Sequence, residues 1–275
     1  MVVVGLDQNA LNSLKDTAEL AAAEAAALVR AAWESMTAGR SVRVETKSSG
    51  TDMVTAVDHE SERLLRSRLA ELRPGDAFLG EEGGGTAGDG VTWVVDPIDG
   101  TTNFLYGYPW FAVSVAAQVG GVSVAGAVVE PVSGRHWTAA RGQGAWLDGR
   151  RLAVSATDRL EFALVGTGFA YSAERRVRQG RFVAGLVGRV RDIRRSGAAS
   201  LELCSIAAGW TDAFVEHGLG RWDWAAGALI AEEAGAVVSL PGDDEELGPD
   251  ATFVCGRAIS GPLRAALLEA GVGSV

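Results

Sequence analysis

From Thr101 to Val129 the chain carries no charged residue. A run of that length is longer than a membrane-spanning helix requires. Its interior argues for something else. Asn103, Pro109, Gln118 and the pair Gly120-Gly121 interrupt it, while Phe111, Val113, Val115 and Val119 recur at even spacing, as do Val122, Val124 and Val128. Even spacing is the period of strands, and Gly120-Gly121 between two such runs predicts a hairpin turn. The segment therefore reads as the interior of a buried sheet, and no membrane partner is expected.

The flanking patterns are helical. Leu11, Leu14, Ala18, Ala21, Ala25, Leu28, Ala32 and Met36 predict one amphipathic helix over 9–36, ended by Gly39. A second helix is predicted over 58–72, with Leu64, Leu65, Leu69 and Leu72 on one face and Pro74-Gly75 closing it. Thr55 with Asp58 three residues later has the pattern of a capping box. Short strands follow at 77–79, 93–95 and 136–140, and the run from Gly83 to Gly90 reads as a surface loop. After about residue 155 strands and helices alternate: strands near 163–166, 193–195, 212–215, 237–240 and 252–254, and helices near 174–190, 198–208, 222–234 and 261–268. Mixed sheets layered with helices fit this order. No linker separates independent domains, so a single unit over 1–275 is expected, with an N-terminal half of about 1–155 and a C-terminal half of about 156–275.

Composition narrows the functional classes. With 35 acidic and 25 basic residues the net charge is −10, which argues against nucleic acid as a partner, since phosphate backbones are held by clustered Lys and Arg. His59, His136 and His217 are scattered, so a His-rich zinc site is not expected. Cys204 and Cys255 do not make a disulfide framework and read as buried thiols in a reducing compartment. Met1 to Lys15 lacks a basic stretch followed by an apolar core. A cytoplasmic location follows as the expectation.

The densest chemical signal is Trp93-Val94-Val95-Asp96-Pro97-Ile98-Asp99-Gly100-Thr101-Thr102-Asn103-Phe104. An apolar strand delivers Asp96 and Asp99 into a tight Pro-containing turn. Two carboxylates about 4 Å apart repel by about 4 kcal/mol at an effective dielectric of 20, so a cation or a shared proton is expected between them. The amides that follow, at Gly100 to Thr102, could cradle an anion. Hard-metal ligands beside backbone donors suit metal-assisted phosphoryl transfer. The alternative is a turn in which both Asp side chains merely cap backbone amides. Glu81, in Gly80-Glu81-Glu82-Gly83, and Asp223, in Trp222-Asp223-Trp224, stand where strands or loops meet turns and could complete the site. Taken singly, Asp223 reads equally well as a helix N-cap.

Together with Lys47-Ser48-Ser49-Gly50-Thr51-Asp52-Met53-Val54-Thr55-Ala56-Val57-Asp58 and Ser196-Gly197-Ala198-Ala199-Ser200, these motifs resemble the inositol monophosphatase family of magnesium-dependent, lithium-sensitive sugar phosphatases. The resemblance covers roughly residues 9 to 270. It implies an α/β (α+β) fold, a layered αβαβα sandwich of the sugar phosphatase type. It implies Mg2+, two ions per chain with room for a third near Glu81. Glu81, Asp96 and the carbonyl of Ile98 resemble ligands of the first ion; Asp96, Asp99 and Asp223 resemble those of a second. Thr101 with Asp58 resembles the pair that helps Glu81 orient and deprotonate the attacking water. The amides of Gly100 and Thr101 would hold phosphate. Glu216 and the backbone of Gly197, Ala198 and Ala199 match positions that contact the sugar hydroxyls, with Asp99 and Asp223 beside them. Lys47 and Glu82 match positions adjacent to the metals. A solvated loop charge is the alternative for Glu216, and a surface lysine for Lys47.

The activity so implied is hydrolysis of a phosphate monoester on a small polyol, first inositol 1-phosphate. Fructose 1,6-bisphosphate, histidinol phosphate or a nucleotide bisphosphate stand as alternatives, and a catalytically silent regulatory binder as a reading of another class. A homodimer is the implied assembly. Ala198, Gly83 and Trp224 depart from the family's common residues; with Phe169, they bear on substrate identity and not on the metal ligands.

Overall fold

The computed structural model describes residues 6–46 and 53–275. Lys47, and the Lys47–Asp52 stretch of the first motif, lie outside the described residues. Helix α1 spans Gln8–Thr37, capped by the Asp7 carboxylate on the Ala10 amide at 2.8 Å. Strands β1 (Val44–Thr46) and β2 (Met53–Thr55) pair with each other, and α2 spans Ala56–Leu72. The predicted capping box is present: Thr55 Oγ1 accepts from the Asp58 amide and the Asp58 carboxylate accepts from the Thr55 amide.

Next come β3 (Ala77–Gly80), β4 (Gly84–Gly85), β5 (Val91–Asp99) and the short helix α3 (Thr101–Leu105). They are followed by β6 (Ala112–Val119), β7 (Val122–Val129), β8 (His136–Ala140), β9 (Ala145–Leu147) and β10 (Arg150–Arg151). The second half runs β11 (Leu164–Thr167), α4 (Ala173–Leu186), β12 (Asp192–Arg194), α5 (Ala199–Ala207), β13 (Ala213–His217), α6 (Arg221–Glu233), β14 (Val237–Ser239), β15 (Ala251–Cys255) and α7 (Ser260–Glu269).

An eight-stranded sheet has the order β10-β9-β8-β7-β6-β5-β3-β4, antiparallel except for the parallel pair β3–β5. A five-stranded sheet has the order β12-β11-β13-β15-β14. Side-chain parity along the strands shows how the layers stack. Trp93 and Val95 of β5, with Val113, Val115 and Ala117 of β6, face the α1–α2 layer; Val94, Ala112 and Ala116 face α5 and α6. On the small sheet Phe214 and Val254 meet the opposite side of α5 and α6, whereas Ala213, Val215, Phe253 and Cys255 face α4 and α7. The result is helix, sheet, helix, sheet, helix, the expected αβαβα sandwich. α5 and α6 are apolar on both sides because both sides are covered.

The charge-free run is sheet interior only from Ala112: its start, Thr101–Leu105, is the helix α3, and the rest forms the β6–β7 hairpin, whose turn residues Gly120 and Gly121 take positive φ of 57° and 81°, the conformation a two-residue hairpin turn needs and glycine supplies. Cys204 and Cys255 are free and buried. Among the described residues, no helix is long and apolar enough to cross a membrane.

The expected tight turn at Asp96–Asp99 needs correction. The strand does not stop at Val95 but continues through Asp99, with a register shift against β6 between Asp96 and Asp99. Pro97 cannot donate to the ladder, so the chain bulges there. The Ile98 amide turns to Asp96 Oδ1 at 3.0 Å, and Ser61 Oγ of α2 donates to the Pro97 carbonyl at 3.1 Å. The bulge carries both carboxylates to the end of the sheet and leaves them buried.

Candidate metal centre

Three carboxylates from both halves of the chain converge at the end of β5. Asp96 and Asp99 come from the bulge, and Asp223 comes from the third helical position of α6. Each offers a carboxylate oxygen, and the three oxygens lie within 4.8 Å of one another. Asp223 is not the N-cap that its position in the sequence suggests. Gly220 holds that place, and Asp223 Oδ2 accepts from the Gly220 amide at 2.6 Å, which anchors one oxygen and leaves the other for the cluster.

Burial is the first cause of the electrostatics here, and mutual repulsion adds to it. Asp96 is held well above the usual carboxylate range by burial first, and then by the neighbouring carboxyl groups of Glu81, Asp99 and Asp223. Asp223 is likewise pushed well up by burial and by Asp99 and Glu81. Asp99 rises only to about 6, because hydrogen bonds from Ser200 and Ala199 oppose its burial. These donors are the Ala199 amide at 3.1 Å, the Ser200 amide at 2.7 Å and the Ser200 hydroxyl. Hard oxygen donors that repel one another in a buried corner fit a hard divalent cation.

Beside the carboxylates, Thr101 Oγ1 lies 2.9 Å from Asp58 Oδ1 and 3.0 Å from the Ile98 carbonyl. Asp58 is fully buried, and its other oxygen accepts from Thr55. The Asp58 carboxylate is thus fixed on both sides, with Thr101 a long-range partner. Gly100 precedes α3 with a left-handed φ of 94°.

A cavity of about 720 Å3 opens from this cluster, lined by Glu81, Asp96, Asp99, Thr101, Glu216 and Asp223, with Gly197, Ala198 and Ala199 along one wall. The sequence-predicted residues Glu81, Asp96, Ile98, Asp99, Gly100, Thr101, Gly197, Ala198, Ala199, Glu216 and Asp223 all line it; Asp58 sits behind Thr101, and Glu82 stands in the turn after β3. Phe169 and Trp222 line the cavity, whereas Trp224 packs into the apolar layers around α5 and α6. The Ala199 amide, expected near sugar hydroxyls, is donated to Asp99.

Three contributors escaped the sequence reading. Ser200 appeared there only as a motif letter, yet it is the main donor to Asp99. Arg195 lines the cavity; burial pushes Glu216 up to about 8 even though the charge of Arg195 acts to lower it. Gly168 is the third. β11 and β13 are parallel with Thr167 opposite Val215, so the residue after Thr167 lies alongside Glu216. A Cβ at Gly168 would stand 1.9 Å from Glu216 Oε2. Only the strand register identifies that glycine; its neighbours in sequence give no signal.

A family model described as the inositol monophosphatase family matches residues 10–271. A protein of Mycobacterium leprae named inositol-1-monophosphatase is 55% identical over 243 residues, 83% of this chain and 84% of the relative. A protein of Pseudomonas aeruginosa named Nus factor SuhB is 47% identical over 195 residues, 68% of this chain and 72% of the relative. Among solved structures, the extragenic suppressor protein suhB from Bartonella henselae superposes with a TM-score of 0.84 at 34% identity, covering 92% of this chain and 97% of that one.

Proposed function

The chain belongs to the inositol monophosphatase family, a family of phosphoric monoester hydrolases, and from that premise we propose that it hydrolyses a phosphate monoester on a small polyol, first inositol 1-phosphate. The observation that carries the reading is the Asp96, Asp99 and Asp223 cluster lining a cavity that Thr101 and Glu216 also line. Those three carboxylates come from both halves of the chain, so the proposed catalytic unit is the whole of it.

Glu81, Asp96 and the Ile98 carbonyl would hold one Mg2+, and Asp96, Asp99 and Asp223 a second, with Glu81 and Glu82 near enough in sequence for a third. When bound, the ions supply positive charge that lowers the pKa of water and offsets charge on the phosphate and the leaving oxygen. The protein's own groups do the rest. The proton of the Thr101 hydroxyl is committed to Asp58, so Thr101 Oγ1 presents a lone pair that accepts a hydrogen bond from the attacking water. Glu81 takes the proton of that water as its oxygen attacks phosphorus, the bond from phosphorus to the sugar oxygen breaks, and the departing sugar oxygen takes a proton from solvent water to leave as the alcohol. The amides of Gly100 and Thr101 hold phosphate oxygens. Glu216, with Arg195 across from it, accepts hydrogen bonds from two sugar hydroxyls.

With a net charge of −10, long-range electrostatics oppose an anionic substrate, so binding depends on the loaded metal site. Lithium inhibition, a homodimer and a cytoplasmic setting belong to the same proposal. A sedimentation mass near 28.6 kDa would refute the dimer.

The test is phosphate release, with and without magnesium, from inositol 1-phosphate, fructose 1,6-bisphosphate, histidinol phosphate and a nucleotide bisphosphate. Preference for inositol 1-phosphate supports the assignment; comparable rates on several sugars indicate a broad phosphatase. No magnesium-dependent release from any of them would overturn it. The relative named Nus factor SuhB favours a second reading, a regulatory binder of this fold. Asp99→Asn separates the two: an enzyme loses nearly all turnover, whereas a binder keeps its partner affinity.

A further inference from the structure

We propose that Glu62 is the positioning residue for Glu81, a carboxylate of α2 that fixes the turn on which Glu81 is carried. This rests on the reading of Glu81 given above. α2 is capped at Asp58, and its inward face runs Asp58, Ser61, Glu62, Leu65, Leu69, all buried. The spacing of three and four residues places them on one stripe. Its polar part contacts three pieces of the centre in succession: Asp58 reaches Thr101, Ser61 reaches the Pro97 carbonyl, and Glu62 reaches the turn after β3.

Glu62 Oε2 accepts from the Glu82 amide at 2.7 Å and Oε1 from the Gly83 amide at 2.8 Å. Two amides in succession on one carboxylate fix the orientation of the peptide planes that follow Glu81. The Glu81 amide itself is tied to the Val95 carbonyl at 3.3 Å, so Glu81 is held on both sides. Arg66, one turn further along α2, completes the clamp by donating to Glu62 Oε1 at 3.2 Å and to the Gly84 carbonyl at 3.1 Å. Its guanidinium also sits 4.1 Å from the centroid of the Phe78 ring. A buried carboxylate persists only when hydrogen-bonded and paired, and these partners meet both conditions.

Space has been made for that carboxylate from the other side. A Cβ at Gly80 would lie 2.4 Å from Glu62 Oε2, and one at Gly83 would lie 2.5 Å from Oε1. The two glycines that flank Glu81-Glu82 are therefore the two faces of a slot shaped to the Glu62 carboxylate. Gly83, noted as a departure from the family's common residue, is accounted for locally by this contact.

The experiment reads the turn and the chemistry separately. Amide exchange is followed in metal-free wild-type protein, Glu62→Gln, Gly80→Ala, the double variant and Glu60→Gln, an exposed control on the same helix. In Glu62→Gln the Glu82 and Gly83 amides should exchange at least about tenfold faster, with the β6–β7 hairpin unchanged. In the magnesium-loaded enzyme kcat should fall about tenfold to hundredfold with KM within about twofold, the pattern of a displaced Glu81. Gly80→Ala should reproduce both effects, because its methyl evicts the carboxylate. The double variant should be no worse than the poorer single one, since both remove the same contact. Glu60→Gln should match wild type. Should Glu62→Gln not fold, Gly80→Ala decides by the same exchange. Unchanged exchange at Glu82 and Gly83, a loss confined to KM, or additive losses in the double variant would overturn the proposal. Failure of Glu81→Gln to lower turnover would instead overturn the reading of Glu81, and would leave the exchange result standing.

Discussion

Removing the metal should leave a folded protein whose stability rises as the solution is acidified, and Asp99 gives the size of the effect. Its ordinary value is 3.8, and in the fold it is held at about 6 by burial, against the hydrogen bonds of Ser200 and Ala199. A carboxyl whose pKa is higher folded than unfolded opposes folding at pH values above both, and that opposition is relieved as pH falls through the folded value. The gap corresponds to about 3 kcal/mol at neutral pH. Between pH of about 7.5 and about 5, roughly 1.4 kcal/mol of it is recovered, the remainder lying lower. Asp96 and Asp223 are raised for the same reason and act in the same direction.

The clean measurement is a difference. Urea unfolding of metal-free wild type and of Asp99→Asn is followed across that pH range. The amide of Asn cannot accept all three bonds from Ser200 and Ala199, so the two curves are offset, but the offset does not change with pH. Their slopes isolate the titration: the wild-type gain on acidification should exceed that of Asp99→Asn by at least about 1.4 kcal/mol. Losing Asp99 also relieves Asp223, which enlarges the gap. Saturating magnesium should flatten the wild-type curve, because metal and protons compete for the same oxygens. Parallel wild-type and Asp99→Asn curves without metal would refute the electrostatic account of the cluster.

Other tests address single contacts. Thr101→Val keeps the shape of the side chain and removes the hydroxyl on Asp58, so kcat should fall at least about a hundredfold with little change in KM; steady-state kinetics on inositol 1-phosphate decides. Gly168→Ala places a methyl 1.9 Å from Glu216 Oε2, and should raise KM about tenfold with kcat nearly unchanged. If kcat falls and KM does not, Glu216 has a role other than holding the sugar. Burial pushes the Cys204 thiol well up and that of Cys255 to about 11, so neither should react with a thiol reagent near neutral pH until the protein unfolds. Rapid labelling in the absence of denaturant would contradict their placement.

Much of this molecule is written locally. The even spacing of Val113 and Val115, the helical spacing of Leu14 to Ala25, the Thr55–Asp58 box and the Gly120-Gly121 turn each depend on neighbours a few residues away, and each forms as its pattern predicts. The carboxylates of the centre were legible for a related reason: Asp96 and Asp99 stand together in one short motif that is conspicuous for the repulsion it contains. What the sequence could not show depends on register and on contacts between distant segments. That β5 continues past Pro97 follows from its pairing with β6 and from the Ser61 contact. Ser200 meets Asp99 from a hundred positions away because α5 packs across the end of the large sheet. Gly168 matters only because Thr167 lies opposite Val215, and Gly80 and Gly83 only because Glu62 on α2 needs the room. Local pattern determined which elements form and which carboxylates repel; the packing of one layer on the next decided what holds those carboxylates in place, since hydrogen bonds and excluded volume act through space and not along the chain.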